Sequence, residues 1–331
     1  MSARYLTLSI TPELAGAEVN TLLRRVLGLS GTVLRRVKWL EDGITLDGVR
    51  VNVRCRVREG QTLSVRLTSS GQSPLREEPP SGIPRAAPLL LLSHPNPLRW
   101  ASDGVVPAEG PLDIVYEDGD LIVLNKAPGV LVHPGHGHFD DTLGNFLMWH
   151  YKQLGDESDF HPVHRLDKGT SGLLAVAKHP HAQEKLKNQL HTGGFRRVYL
   201  AVCDGAPPKP AGTVDAPIGP ADGSQTAREV RPDGKPARTH YKVLKPCGPR
   251  TLLELELDTG RTHQIRVHMA HIGCPLTGDF LYGRENRALI ARPALHSARL
   301  ELAHPITGER LSFAAPLPAD MAELIPEESI S

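Results

Sequence analysis

Pro162-Val163-His164-Arg165-Leu166-Asp167-Lys168-Gly169-Thr170-Ser171-Gly172-Leu173-Leu174 is the stretch on which the reading of this chain turns. The apolar residues 173–177 predict a short buried strand, so Asp167 stands in the glycine- and hydroxyl-rich loop that enters it. Loops at strand ends commonly present reactive groups. Arg165 and Lys168 flank the carboxylate, and nearby opposite charge would hold it ionised. On these residues alone, Asp167 is either a displayed nucleophile or a carboxylate that caps a turn.

Outward from this loop the pattern mixes helix and strand. Ile114-Val115-Tyr116, then Asp118-Gly119, then Leu121-Ile122-Val123-Leu124 predict a hairpin. Residues 183–191 predict a helix that ends near Gly193-Gly194, since glycine terminates helices. Residues 198–203 and 252–257 predict strands, with Glu254 and Glu256 alternating against apolar neighbours in the second. Residues 264–272 predict a helix stopped by Gly273. Its apolar stripe of Ile265, Met269 and Ile272 puts Arg266 at the edge of the buried face.

The Asp167 segment resembles the signature of the RluA-type family of pseudouridine synthases, and further stretches resemble that family in its own order. The run I-V-Y-E-D-G-D-L-I-V-L-N-K-A-P-G-V-L-V-H-P-G at 114–135 is similar to its first motif. Arg197-Val198-Tyr199-Leu200-Ala201-Val202 resembles the segment with its active-site tyrosine, and L-D-T-G-R-T-H-Q-I-R-V-H-M-A-H-I-G at 257–273 its third motif. His296-Ser297-Ala298 and Phe313-Ala314-Ala315-Pro316-Leu317 are similar to its C-terminal ending, so the likeness covers roughly 112–320. The RluD-like branch, which serves large-subunit rRNA, is the nearest in kind. Two departures stand out: Ala127-Pro128 inverts the usual order after Asn-Lys, and Pro220 stands where a basic residue is usual.

The resemblance implies an α+β fold, a mixed and largely antiparallel sheet over 112–331, with helices and loops lining an RNA cleft. It implies that Asp167 attacks the target nucleoside covalently, at sugar or pyrimidine ring, which splits a hard step into two easier ones. It makes Tyr199 the residue that stacks on the base and a candidate to remove the carbon-5 proton. Arg266 becomes the basic partner of Asp167, and Arg165 the side chain that fills the space of a flipped uridine, since a stacked base must be extruded to react. Without the resemblance, Tyr199 reads as a core aromatic, Arg266 as a surface helix charge and Arg165 as a loop ion pair. No cofactor is implied: neither G-x-x-x-x-G-K-[ST] nor G-x-G-x-x-G occurs.

Residues 1–70 carry 11 Lys/Arg against 6 Asp/Glu, whereas the whole 331-residue chain is only +1. A basic segment on a near-neutral body suits a polyanion, although a solvated charged surface reads the same way. Val19, Leu22, Leu23 and Val26 follow one helix face and leave Arg24 and Arg25 outward. A second helix is predicted over 32–40 with Arg35 and Arg36, and residues 44–53 alternate around Asp47-Gly48 as a hairpin. Together these resemble, weakly, the small "S-four" RNA-binding module, with an unrelated small α+β domain as the alternative. Nine of the 29 prolines fall in 71–111, which predicts a linker with one short docked piece at 89–92.

The four cysteines are scattered without a C-x-x-C pair, which argues against a zinc ribbon or disulfide framework. His133-Pro134-Gly135-His136-Gly137-His138 lies in a Gly/Pro turn without a carboxylate or thiolate at ligand spacing, so no metal is expected there. No apolar run is long enough to cross a bilayer and no secretory signal is visible. The expectation is a cytoplasmic monomer whose partner is structured RNA, ribosomal before transfer RNA.

Overall fold

The structure, a computed structural model, describes residues 3–68, 105–135 and 137–326. The suggested docked piece at 89–92 and most of the proline-rich stretch lie outside these residues.

Tyr5–Ser9, Thr62–Arg66, Ile44–Leu46 and Val49–Arg50 form a four-stranded antiparallel sheet in that spatial order. Asp47 and Gly48, with φ of 50° and 79°, make the two-residue turn of the expected hairpin. Both central residues at positive φ is the type I′ arrangement, whose twist matches that of the strands. Val19, Leu22, Leu23, Val33, Leu34 and Val37 pack against this sheet. The expected stripe fails at Val26, which is 47% exposed. Its segment, Leu22–Val26, is a π turn closed by Leu27 N–H donating to Leu22 C=O at 3.0 Å, and the wider turn rotates Val26 off the face. The second helix, Gly31–Val37, is capped by the Ser30 hydroxyl and stops short of residue 40. Gly43 explains the stop: the chain folds back so closely that a Cβ there would lie 1.8 Å from the Val37 carbonyl oxygen.

The second sheet has ten strands. Its path runs Ala211–Asp215, Arg238–Cys247, Arg250–Leu257, Arg196–Asp204, Leu295–Ala303, Ser171–Ala177, Leu121–Lys126, Ile114–Glu117. Arg310–Ala314 pairs beside Leu295–Ala303, and His161–Pro162 beside Ser171–Ala177. Among the described residues every pairing in this sheet is antiparallel except one: Leu295–Ala303 runs parallel to Ser171–Ala177, with His296 opposite Ser171 and Ser297 opposite Gly172. The fold is thus α+β on a mixed, largely antiparallel sheet, as the resemblance implies.

Helices cover both faces. Leu143–Leu154, which the sequence pattern does not announce, packs Leu147 and Tyr151 with Leu174, Tyr199 and Leu253. Gln264–His271 adds Ile265 and Met269 to the same core. Pro180–Thr192 covers the opposite face through Ala182 and Leu186. It starts with Pro180 and the His179 ring accepting from Ala182 N–H at 3.2 Å, and ends at Gly193 with φ of 76°. Residues 105–111 run along Leu143–Leu154, where Asn145 donates to the Val106 carbonyl at 2.7 Å. The two sheets are joined by ion pairs: Arg4 grips Asp120 at 2.9 and 2.8 Å, and Arg66 bridges Asp42 and Glu157.

Candidate active site

The single parallel junction fixes the site. Gly172, φ 104°, sits where Ser171–Ala177 meets Leu295–Ala303, and a Cβ there would lie 2.3 Å from the Ser297 carbonyl oxygen. Only glycine permits this approach. Ser297 in turn lies opposite Tyr199 on the next strand. The loop that carries Asp167 is therefore delivered beside the strand that carries Tyr199.

The loop is pinned from below by two buried cations. Lys126, 1% exposed, donates to the carbonyls of Ala127 and Val130 at 2.8 Å and of Lys168 at 3.3 Å. Burial, with the charge of Arg292, pulls its ammonium down to about 7, against the pull of Asp167. Arg292 donates to the Gly169 carbonyl at 3.1 Å and is itself held by Asp320 at 2.7 and 2.8 Å. Asp167 thus projects from a braced backbone with its side chain 27% exposed.

A cleft of ≈ 650 Å³ opens above it, and Asp167, Tyr199, Arg266 and Arg165 all line it. Tyr199 is 4% exposed, and burial raises its phenol pKa while the charge of Arg197 opposes the rise. Arg165 is exposed at the mouth. Lys168 turns away, its ammonium 3.3 Å from His138, so among the described residues the cation within 4 Å of the Asp167 carboxylate is Arg266 and neither flanking residue. Arg24, Arg25, Arg35 and Arg36 are exposed on the N-terminal helices and none lines the cleft.

Arg266 departs from the sequence reading in one respect. It is not at the edge of a buried face but 4% exposed, in a bidentate pair with the fully buried Asp279 at 2.7 and 2.8 Å. The rings of Tyr282 and Phe280 lie 5.0 and 5.8 Å from its guanidinium carbon. Its Nη1 stands 3.8 Å from Asp167 Oδ2, an ion pair and not a hydrogen bond. At an effective dielectric of ~20 such a separation is worth about 4 kcal/mol of attraction, enough to orient the carboxylate without tying it up. Burial works against the charge on Arg266, but the carboxylates of Asp279 and Asp167 outweigh it and raise its pKa.

Several residues of the site escape a reading of the sequence. Asp279 lies in Thr277-Gly278-Asp279 and looks like a turn residue until its partner is known. His263 takes a left-handed backbone, φ 57°, before the helix, with its Nδ1 2.7 Å from the Tyr282 hydroxyl. The positive φ on a residue other than glycine was the signal, and it is not visible in sequence.

Metal-ligand chemistry is best matched by Asp118, Asp120 and His304, whose ligand atoms lie within 4.8 Å of one another. The guanidinium of Arg4 already occupies the Asp120 face that a cation would use, and His304 pairs with Asp118 at 2.8 Å. In the histidine-rich turn, His138 pairs with Asp141 at 2.6 Å and His133 stacks edge-on against Phe160. Among the described residues, no helix is long and apolar enough to cross a membrane.

Residues 120–271 match the family model described as RNA pseudouridylate synthase. The uncharacterized RNA pseudouridine synthase YjbO of Bacillus subtilis (strain 168) is 39% identical over 303 residues, which is 92% of this chain and 96% of that one. Ribosomal large subunit pseudouridine synthase D of Yersinia pestis is 46% identical over 240 residues, 69% of this chain and 72% of its own. Among solved structures, human RNA pseudouridylate synthase domain containing 1 superposes with a TM-score of 0.52 at 28% identity, covering 62% of this chain and 83% of its own. The braced aspartate loop, the cleft and these likenesses converge, and the chain belongs to the RNA pseudouridylate synthase family, in its RluA-type, RluD-like branch, and is an isomerase.

Proposed function

We propose that the protein converts one or more uridines of large-subunit ribosomal RNA to pseudouridine, acting as a cytoplasmic monomer with no cofactor and with Asp167 as nucleophile. The carrying observation is that Asp167, Tyr199 and Arg266, drawn from three separate segments, line one cleft. The ribosomal substrate rests on the likeness to ribosomal large subunit pseudouridine synthase D; transfer RNA is the second reading.

In this reading the flipped uridine enters the cleft and Arg165, at the mouth, takes its place in the RNA stack. Extrusion costs a few kcal/mol, which a stacking guanidinium offsets. Asp167 attacks the nucleoside while Arg266, charged at any working pH, steadies the carboxylate before attack and after release. Tyr199 stacks on the base and is the candidate acceptor for the carbon-5 proton. Arg24, Arg25, Arg35 and Arg36 of the S-four-like N-terminal module, residues 1–70, contact RNA phosphates.

Asp167→Asn keeps the shape and removes the nucleophile. The expected result is no product by carbodiimide mapping, with RNA affinity close to wild type. Full activity of this variant would end the assignment of Asp167. Transcriptome-wide mapping with and without the gene then identifies the uridine, and a lost site confined to transfer RNA would replace the ribosomal reading.

A further inference from the structure

The floor of the cleft holds polar hydrogens without a well-formed hydrogen bond among the described residues. Arg197 is 7% exposed and lines the cleft. Its Nη2 makes two long hydrogen bonds, 3.4 Å each, to the carbonyls of Leu257 and Thr259. Among the described residues its Nε has no hydrogen-bond partner and the guanidinium forms no ion pair with a carboxylate. Gly260 backs it so closely that a Cβ there would lie 3.1 Å from Nη1. His164, on the same floor, accepts from Ala175 N–H through Nε2 at 3.3 Å, which leaves its proton on Nδ1. That Nδ1 is also buried without a well-formed hydrogen bond among the described residues, although the Arg165 backbone faces the ring and favours its proton. Burial, with the charge of Arg197 adding to it, depresses this imidazole to about 3, so the ring is a neutral donor at working pH.

Buried polar groups in native proteins are nearly all paired, and a buried cation without a carboxylate is costly. Two such donors on one cleft floor fit a ligand that brings acceptors and negative charge. A backbone phosphate stays at the solvated rim, whereas Arg197 sits deep, two residues from Tyr199 on one strand and on the same face. What reaches that depth is the flipped base.

We propose that Arg197, with His164 Nδ1–H as second donor, binds the carbonyl oxygens of the flipped uracil and stabilises the negative charge the ring carries during isomerisation. This rests on the reading of Asp167 as nucleophile. When Asp167 bonds to C1′, the N1–C1′ bond breaks and its electron pair stays on the ring, spread over O2, N1 and O4. The ring turns and C5 bonds to C1′. The bond from Asp167 to C1′ breaks, and its pair returns to the carboxylate. C5 then loses its proton to a base and N1 gains one from solvent, so atoms and charge balance. Attack at C6 instead would also push an electron pair onto ring oxygen, where the same donors serve.

The test compares Arg197→Met and Arg197→Lys with wild type on a large-subunit rRNA transcript made with uridine or with 5-fluorouridine. Both are followed by loss of the N1–C1′-linked nucleoside from nuclease digests, because a fluorinated C5 has no proton to lose and cannot complete the last step. Fluorine makes the ring a better anion by itself, so it substitutes for the lost cation. Arg197→Met is expected to slow single turnover about 10²–10³-fold on the uridine transcript, as removal of an oxyanion donor does. Its RNA Kd stays within about three-fold of wild type, because the interaction grows in the transition state. Arg197→Lys recovers part of the rate, and the loss shrinks at least about tenfold on the fluorinated transcript. Equal losses on both transcripts would mean a structural role, and a weakened Kd at unchanged rate would mean a phosphate seat; either overturns the proposal. If Arg197→Met does not fold, Arg197→Lys carries the same comparison. A wild-type protein that makes no product on any RNA would fail the functional reading and take this inference with it. A working wild type with the wrong variant pattern fails the inference alone.

Discussion

Asp279→Asn is the most exacting probe of the site, because it removes a single charge from a pair in which both partners are buried. Asp279 is 0% exposed and Arg266 4%. Oδ2 accepts from Arg266 Nε at 2.7 Å; Oδ1 accepts from Nη2 at 2.8 Å and from the backbone of Leu281 and Tyr282 at 3.0 and 3.2 Å. Asparagine keeps Oδ1 and its backbone bonds but turns an NH₂ toward a guanidinium, donor against donor. Breaking one side of a buried ion pair costs about 3–5 kcal/mol. At ~2–4 °C per kcal/mol for a chain somewhat under this length, melting falls by roughly 6–20 °C. Activity falls as well. The nearest remaining carboxylate for Arg266 is Asp167, 3.8 Å away, and the freed guanidinium closes that gap. With Asp167 as the proposed nucleophile, a displacement of about 1 Å into a tight pair costs on the order of 10² in rate. Calorimetry and tritium release from RNA labelled at uridine carbon 5 read the two effects separately. A variant that melts within about 1 kcal/mol of wild type would show that Asp279 does not sustain the buried charge of Arg266. A stable shift in melting with unchanged tritium release would show that the pair is not coupled to Asp167.

Two further outcomes follow from the fold. Gly172→Ala places a methyl 2.3 Å from the Ser297 carbonyl oxygen at a φ of 104°, so backbone must move. Strain at such a position costs about 1–3 kcal/mol before any separation of the strands, and the urea midpoint is expected to drop accordingly; an unchanged midpoint would refute the contact. His161, His164 and His181 are depressed by burial to about 4, 3 and 4. They stay neutral when folded, while the unfolded chain takes up their protons below about 6.5. Their contribution is therefore complete above that pH and lost as pH falls toward 4, at about 1.4 kcal/mol per pH unit for each proton taken up. Urea midpoints measured between pH 7.5 and 5 check this, and a flat profile would contradict the burial of these rings.

Local chemistry was the legible part of the sequence. The Asp47-Gly48 hairpin, the Gly193 stop and the strand behind Asp167 each follow from a few adjacent residues, and the structure has all three. The Val26 exposure was not legible, because a π turn changes the helical repeat without changing composition. The helix Leu143–Leu154 is hidden for a related reason: its buried face includes polar-tipped Tyr151 and Asn145, which blur the apolar stripe. The sequence points to Arg266 but not to its depth. Its burial depends on Asp279, thirteen residues on and outside the helix, and periodicity within one element is blind to that pairing. Arg197 shows the same limit from the other side, since a missing partner is a property of the packed cleft.

The one parallel pairing has a consequence for how the enzyme is made. Gly169 and Gly172, on either side of the strand entry, are held by Arg292 and Ser297, and His296 lies opposite Ser171, some 125 residues away along the chain. During synthesis at ~5–20 residues per second, Asp167 leaves the ribosome roughly 6–25 s before its neighbouring strand exists. Contacts between such distant segments also form late, since their loop-closure entropy must be met first. A nascent or C-terminally truncated chain carries Asp167 without the strand that aims it. Competence therefore arrives only once residues 295–303 have been made, and a chain that stops before residue 292 is expected to be silent rather than partly active.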